Sequence, residues 1–403
     1  MKRTSNRRSD GRHKRTKRRP AVERTPHPAP ALVQEVSIDH RAVTRLVHLP
    51  GATDLQGMRI GLVGFAGSGK TTVFNTVTGL NVPLGFGGEV HLGTVKVPDA
   101  RIDKLSALFK PKKTTYAEIV FSDIPGEHGA ERRGLSKKAL RQIAEQDALC
   151  LVLRDFPNPA VETAPDPVAE LEAFATECVI ADLEAVERRL DRAKKDKPDA
   201  LELGAFHLMK ETLERELPLR ALSESELHRD QLRGYAFLTD LPLLVALNRS
   251  EADVSQPMPP AISDWLGTHH AAGLVLSASV EAEIAAMDAA DQAAFLQDLG
   301  LTESALTRFI RSAYSLLDLI SFFTVGTDEV RAWPIRRGTR AKQAAGKIHS
   351  DLERGFIRAE VMPYEHFIAC GSEQAMRDTG HLKVEGKDFV VSDGDILNIR
   401  FNV

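Results

Sequence analysis

The stretch Gly64-Phe65-Ala66-Gly67-Ser68-Gly69-Lys70-Thr71 matches the complete P-loop pattern: a glycine, four free positions, then Gly-Lys-Ser/Thr. Its flanks supply the context that the pattern requires. Ile60, Leu62 and Val63 make a short apolar strand before it, and Val73, Phe74 and Val77 fall on one face of a helix that Gly79 ends. Gly67 and Gly69 let the backbone turn inward, so that its N–H groups and the helix N-terminus surround phosphate oxygens. The Lys70 ammonium then reaches the β and γ oxygens, and the Thr71 hydroxyl becomes a ligand of Mg²⁺. The residues expected to hold a nucleotide here are Gly64, Ala66, Gly67, Ser68, Gly69, Lys70, Thr71 and Thr72.

Four further apolar runs end in polar residues: Ile119 to Asp123, Leu149 to Arg154, Leu243 to Asn248 and Leu274 to Ser277. Continuous Val/Ile/Leu strands are buried on both faces, so the fold class is α/β, a P-loop NTPase with a parallel-type sheet between helices. Ligands of such sheets sit at the carboxyl ends of the strands, where these polar residues lie. Asp123 opens Asp123-Ile124-Pro125-Gly126, an acid placed to hold the Mg²⁺ shell and a glycine whose N–H meets the γ-phosphate. Asn248-Arg249-Ser250-Glu251 follows the next-to-last strand, where GTPases carry Asn-Lys-x-Asp. In that motif the Asp accepts from the guanine N1 and N2 donors. Here the longer Glu251 stands in its place, and adenine offers an acceptor at N1 and no amino group at C2, so guanine discrimination is expected to weaken. Ser277-Ala278, after the last strand, is similar to the Ser-Ala pair that clamps the base through its backbone.

Working outward, the 403 residues are long enough for two or more domains. Residues 1–57 are rich in Arg, Lys, Pro and Ser, which cannot bury enough surface to offset ordering entropy, so this extension is expected to be disordered. The formal net charge of −3 hides a division: residues 1–20 hold ten Lys and Arg against Asp10 alone, and the remaining 383 residues hold 43 basic and 55 acidic groups. The basic residues between 2 and 19 suggest an RNA- or phosphate-binding arm, or simply a solvated tail. Met58 is a plausible alternative start. Residues 58–164 and 240–320 are expected to make the P-loop nucleotide-binding domain. Between them, in 165–239, Val179, Leu183, Val186, Leu190 and Ala193 recur at spacings of four and three. That seam predicts an inserted helical hairpin packed on itself rather than a dimer zipper, because it is shorter than three to four heptads. In 321–403 short β-type segments around Val330 to Ile335, Phe356 to Val361 and Asp388 to Val403 flank one helix over Ala341 to Leu352. The apolar runs are too short to span a bilayer, and isolated Cys150, Cys178 and Cys370 form neither a disulfide framework nor a thiolate metal cluster.

With these residues in hand, the chain from Met58 to Val403 resembles the YchF/Obg-like ATPase family of P-loop proteins. The resemblance is carried by the P-loop with Phe74-Asn75, by Val97-Pro98-Asp99 with Asp103-Lys104-Leu105 and Lys110-Pro111-Lys112-Lys113, by Ala181-Asp182-Leu183-Glu184, and by Asn248 to Glu251. It is closest at the C-terminus, in Glu329-Val330-Arg331-Ala332-Trp333, Lys347-Ile348-His349, Gly355 to Val361, Asp393-Gly394-Asp395 and Arg400 to Val403. It implies a G domain with an inserted coiled coil, a C-terminal ubiquitin-like β-grasp (TGS) domain, preference for ATP over GTP, and association with ribosomes. Three departures stand out. The switch I Thr of the family falls here on Gly87, the residue after Asp-x-x-Gly is Glu127 followed by His128, and the shortened switch II carries Arg132 and Arg133.

The expected activity is slow, Mg²⁺-dependent hydrolysis of ATP, with GTP less preferred, by a monomer in the cytoplasm that works with a ribosome or RNA and not with a membrane. Its catalytic residues would be Lys70, Gly126, Glu127 and His128; its metal ligands Thr71 and Asp123; its base contacts Asn248, Arg249, Glu251, Ser277 and Ala278. Turnover is expected to be weak without the switch I hydroxyl. Two alternatives stay open: a non-catalytic nucleotide-binding RNA or ribosome adaptor, and a GTP-specific Obg-type switch.

Overall fold

The computed structural model describes residues 58–84, 89–126, 135–196, 199–232, 234–298 and 303–402. The expectations for residues 1–57, Gly87, Glu127, His128, Arg132 and Arg133 lie outside them. Among the described residues no helix is long and apolar enough to cross a membrane.

Among the described residues twelve strands form two six-stranded sheets. The first contains β1 (Arg59–Val63), β2 (His91–Lys96), β4 (Glu118–Asp123), β5 (Ala148–Asp155), β6 (Leu243–Arg249) and β7 (Ala272–Leu276), in the spatial order β2-β4-β1-β5-β6-β7. Pairing is parallel from β4 through β7, as the doubly buried sequences of β5 and β6 require. The edge strand β2 departs from that rule and runs antiparallel to β4, with His91 opposite Asp123. Its burial alternates between exposed and buried along Leu92 to Lys96, the pattern of a strand covered on one face.

The second sheet contains β3 (Lys113–Thr115), β8 (Leu319–Thr324), β9 (Glu329–Arg336), β10 (Phe356–Pro363), β11 (Lys383–Glu385) and β12 (Asp395–Phe401), ordered β11-β10-β12-β8-β9-β3. The antiparallel pairs β8–β9 and β10–β12 are joined at the centre by the parallel β8–β12 pair. With the helix Ala341–Ile348 packed across it, this is a β-grasp arrangement. The expected single helix over 341–352 is two, Ala341–Ile348 and Ser350–Arg354, because His349 is extended and its ring nitrogen caps the second by accepting from the Asp351 N–H at 3.1 Å. The outermost strand β3 comes from the first domain: Lys113 to Thr115 pair in parallel with Glu329 to Arg331.

Between β5 and β6 the chain leaves the sheet as the long helix Pro167–Asp196 and returns through Ala200–Glu214. Fully buried Val186 and the flanking Val179, Leu183 and Leu190 pack on Phe206, Met209 and Leu213, so the seam closes within the chain. One core face of the first sheet, with Ile60, Phe74 and Phe121, continues through Phe309 into Phe323, Met362 and Phe367 of the second domain. Phe121 stacks on Phe309 at 5.6 Å and Phe109 on Phe367 at 5.7 Å. Because that core is shared, the C-terminal sheet is held against the domain that carries the P-loop.

Candidate nucleotide site

Fully buried Ile60 and Leu62 in β1 aim the chain at the P-loop, and the helix Lys70–Thr78 leaves it with Val73 and Phe74 in the core. Gly69 precedes that helix with φ 90°. A Cβ there would sit 2.3 Å from Nδ2 of Asn248, so both the left-handed backbone and the space demand glycine. Ser68 N–H donates to Phe65 O at 3.2 Å, and Val73 N–H to Gly69 O at 3.0 Å, which leaves the amides at the head of the helix for a ligand.

Lys70 and Asp123 are both 6% exposed. Burial lowers the Lys70 ammonium from its usual range while Asp123 opposes the shift. Burial likewise raises the Asp123 carboxyl, opposed by Lys70, by the Thr71 hydroxyl and by His91. The Thr71 hydroxyl donates to Oδ2 of Asp123 at 2.9 Å. Oδ1 of Asp123 and the Ser68 hydroxyl are buried and have no hydrogen-bond partner among the described residues. A buried, unpaired carboxylate oxygen beside a hydroxyl is a hard-oxygen donor set, which fits Mg²⁺ better than a soft metal. Gly126 lies over this point, for a Cβ on it would fall 2.7 Å from Nζ of Lys70 and 3.2 Å from the Ala66 nitrogen.

Asn248, 3% exposed at the end of β6, joins two parts of the site. Its Nδ2 donates to Ser68 O at 2.9 Å and its Oδ1 accepts from the Ala278 N–H at 2.9 Å. The P-loop and the buried Ser277-Ala278 turn are thereby fixed relative to each other. Glu251 lies exposed on the turn after β6, and half-buried Thr72 accepts from Thr76 through its carbonyl. Arg249 is not brought to this group. Its guanidinium is buried against Asp155 at 2.6 Å and donates to the carbonyls of Gln256 and Pro257, at 2.8 and 3.1 Å. It clamps the ends of β5 and β6 instead of facing a base.

Sequence reasoning missed Asn158. Its Nδ2 donates to Gly67 O at 3.0 Å, while its Oδ1 accepts from the Ala160 N–H at 3.0 Å. Two asparagines therefore hold two consecutive P-loop carbonyls, Asn158 from the loop after β5 and Asn248 from the end of β6. That loop is itself tied down by Arg154, 2% exposed, which donates to the carbonyls of Thr163 and Ala164 at 3.0 and 3.2 Å. The signal available was Phe156-Pro157-Asn158-Pro159, a rigid polar turn at the carboxyl end of a central strand.

The fold and this loop define a P-loop nucleotide-binding protein of the GTPase class. Residues 59–183 match a family described as a 50S ribosome-binding GTPase, and residues 319–402 match a YchF-GTPase C-terminal family described as a protein of unknown function. The chain belongs to the YchF family. It is 36% identical to the ribosome-binding ATPase YchF of Bacillus subtilis over 85% of this chain and 99% of that one. It is likewise 36% identical to the Escherichia coli O157:H7 protein of the same name, over 86% and 100%, and 35% identical to rice Obg-like ATPase 1, over 86% and 92%. The solved Schizosaccharomyces pombe YchF GTPase superposes with a TM-score of 0.75 at 29% identity, covering 85% of this chain and 98% of its own.

Proposed function

We propose that the chain binds ATP with Mg²⁺ at the P-loop and hydrolyses it, acting in the cytosol as a nucleotide switch that works with ribosomes. One observation carries the chemistry: the buried Lys70–Asp123 pair, with the Thr71 hydroxyl on one carboxylate oxygen and the other unpaired. Thr71 and Asp123 would hold the metal, which when bound neutralises developing phosphate charge. Lys70, poised in a low-dielectric pocket, stabilises the oxygens of the transferring group more strongly than it would in water. The Gly126 N–H would orient the terminal phosphate, and the burial of Lys70 and Asp123 keeps their charges little screened. Asn158 and Asn248 hold the loop so that its amides stay aligned. The exposed carboxylate of Glu251, longer than the usual Asp, supports a relaxed choice of base that favours ATP over GTP.

The partner follows from the relatives, several of which are named for ribosome binding. The test is phosphate release from ATP and GTP by purified protein, with and without ribosomes, with Lys70→Ala as control. Loss of one preorganised charge should lower turnover by about 10²–10³-fold. Equal release by wild type and variant would sink the enzymatic reading and leave the non-catalytic adaptor. A strong preference for GTP would favour the Obg-type switch.

A further inference from the structure

The edge strand β2 brings to the metal side of the P-loop a side chain that no motif names. His91 opens β2 and lies directly opposite Asp123, the last residue of β4, in antiparallel register. Residues opposed in this way point to the same face of a sheet, with Cβ atoms about 4.5–5.5 Å apart. Here that face is the one covered by the helix Lys70–Thr78. Two residues along β2, a Cβ on Gly93 would meet Cγ2 of Thr78 at 2.3 Å and Cζ of Phe74 at 3.2 Å, and Val95 enters the core that holds Phe74 and Phe121. Leu92, Thr94 and Lys96 take the opposite face and are exposed. The helix returns antiparallel to β1, and β1 is parallel to β4, so the helix runs in the same direction as β2. The start of β2 therefore lies by the start of the helix, and His91 falls beside the turn where the Thr71 hydroxyl bonds Asp123.

His91 is half-buried, and among the described residues no hydrogen bond reaches its ring nitrogens. It is nonetheless close enough to act on Asp123: after Lys70 and the Thr71 hydroxyl, a protonated His91 is the next group that opposes the effect of burial on that carboxyl. Two polar groups that interact without a direct bond leave a gap that one water can bridge. Mg²⁺ dehydrates reluctantly and keeps several waters at a protein site, and each of these waters donates hydrogen bonds that need acceptors. The Lys70 ammonium can only donate, and Gly87, at the switch I position, has no side chain to offer. A neutral imidazole supplies one acceptor nitrogen. Taking Thr71 and Asp123 as the metal's ligands, we propose that His91 is a positioning residue of the metal–nucleotide site, its ring nitrogen accepting a hydrogen bond from a water of the Mg²⁺ shell beside Asp123. The start of β2 is thereby tied to the bound ion, and the edge of the first sheet is held in place only while metal and nucleotide are both present.

The test uses the full chain, saturated with a non-hydrolysable ATP analogue, and Mn²⁺ as the probe ion. In protein labelled with ¹⁵N-histidine, pulsed EPR should show a weak ¹⁵N coupling, that of an imidazole separated from the ion by one water, and His91→Asn should erase it. The EPR signal of free Mn²⁺ should report an affinity about tenfold lower in His91→Ala. In His91→Asn, whose amide oxygen can still accept, it should stay within about twofold of wild type. In phosphate-release assays His91→Ala should need about tenfold more Mg²⁺ for half-maximal turnover and regain most of the wild-type kcat at saturating Mg²⁺, a split that a damaged strand would not give. The absence of a ¹⁵N coupling, the strong coupling of a directly bound nitrogen, or a coupling that survives in His91→Asn and so belongs to another histidine would each overturn the proposal. So would a Mn²⁺ affinity indifferent to His91→Ala. All of these outcomes leave Thr71 and Asp123 as ligands, whereas failure of the wild-type complex to bind Mn²⁺ at all would overturn the metal reading and this inference with it.

Discussion

Arg101 meets Asp393 at 2.9 Å across the boundary between the nucleotide-binding and C-terminal domains. The same guanidinium is held by Asp99 at 2.8 Å and lies 5.2 Å from the centre of the Phe323 ring, while Asp393 also accepts from the Ser321 N–H at 2.9 Å. The pair therefore joins the first turn of the helix Ala100–Phe109 to the turn before β12, which Ser321 ties to β8. Because Asp393 is 43% exposed, water screens it in part, and a double-mutant cycle with Arg101→Ala and Asp393→Ala should give a coupling of only about 1 kcal/mol. Urea denaturation would measure it, and high salt should shrink it.

The Asn158 brace predicts a binding defect without unfolding. Asn158→Ala removes one hydrogen bond to the Gly67 carbonyl, worth about 0.5–1.5 kcal/mol, so ATP affinity should fall roughly 2- to 12-fold. Asn158→Asp, which cannot donate, should behave no better than alanine. Fluorescent-nucleotide titration beside a thermal melt distinguishes this from general destabilisation.

Gly126→Ala places a methyl group where Lys70 Nζ and the P-loop backbone now approach within about 3 Å. Phosphate release should fall at least tenfold, and because the added Cβ also meets the backbone of Gly64 and Ala66, stability should drop by about 1–3 kcal/mol. Single-turnover assays separate that loss from slower product release.

At the root of the insertion, Asp182 is 2% exposed and accepts from the N–H groups of Leu238 and Thr239 and from the Thr239 hydroxyl, at 2.9, 2.7 and 2.7 Å. Burial pushes its carboxyl up to about 6, against those three hydrogen bonds. A raised folded pKa means that its contribution to stability is fully present below the unfolded value near 4 and is lost as pH rises through about 6. Wild type should therefore lose about 2–3 kcal/mol from this group between pH 4 and pH 7.5. In Asp182→Asn that part of the slope should vanish, which a comparison of the two unfolding free energies against pH would reveal.

The P-loop was legible because its chemistry fixes both residue type and spacing, and the sheet because β5 and β6 are apolar without interruption. The insertion announced itself through the Val179–Ala193 seam. Other features depend on partners that only the folded chain brings together. Arg249 reads as a base contact until strand register sets Asp155 beside it. Asn158 follows no spacing rule, since its partner is a backbone carbonyl far away in sequence. The break at His349 turns on one ring nitrogen, whereas the residues on both sides favour helix. Lys113-Thr114-Thr115 is short and polar, and nothing in its composition assigns it to the second sheet.

That three-residue strand also bears on the order in which the protein is made. Lys113 to Thr115 leave the ribosome roughly 200 residues before Glu329 to Arg331, the strand they lie against. At about 5–20 residues per second the segment waits some 10–40 s for its partner. Until then the nucleotide-binding domain carries an unfinished edge beside Phe109, whose stacking partner Phe367 is made later still. A C-terminal domain cut away at Leu319 would leave its own outer strand open, so the two halves are unsuited to being exchanged as modules and mature together at the close of synthesis.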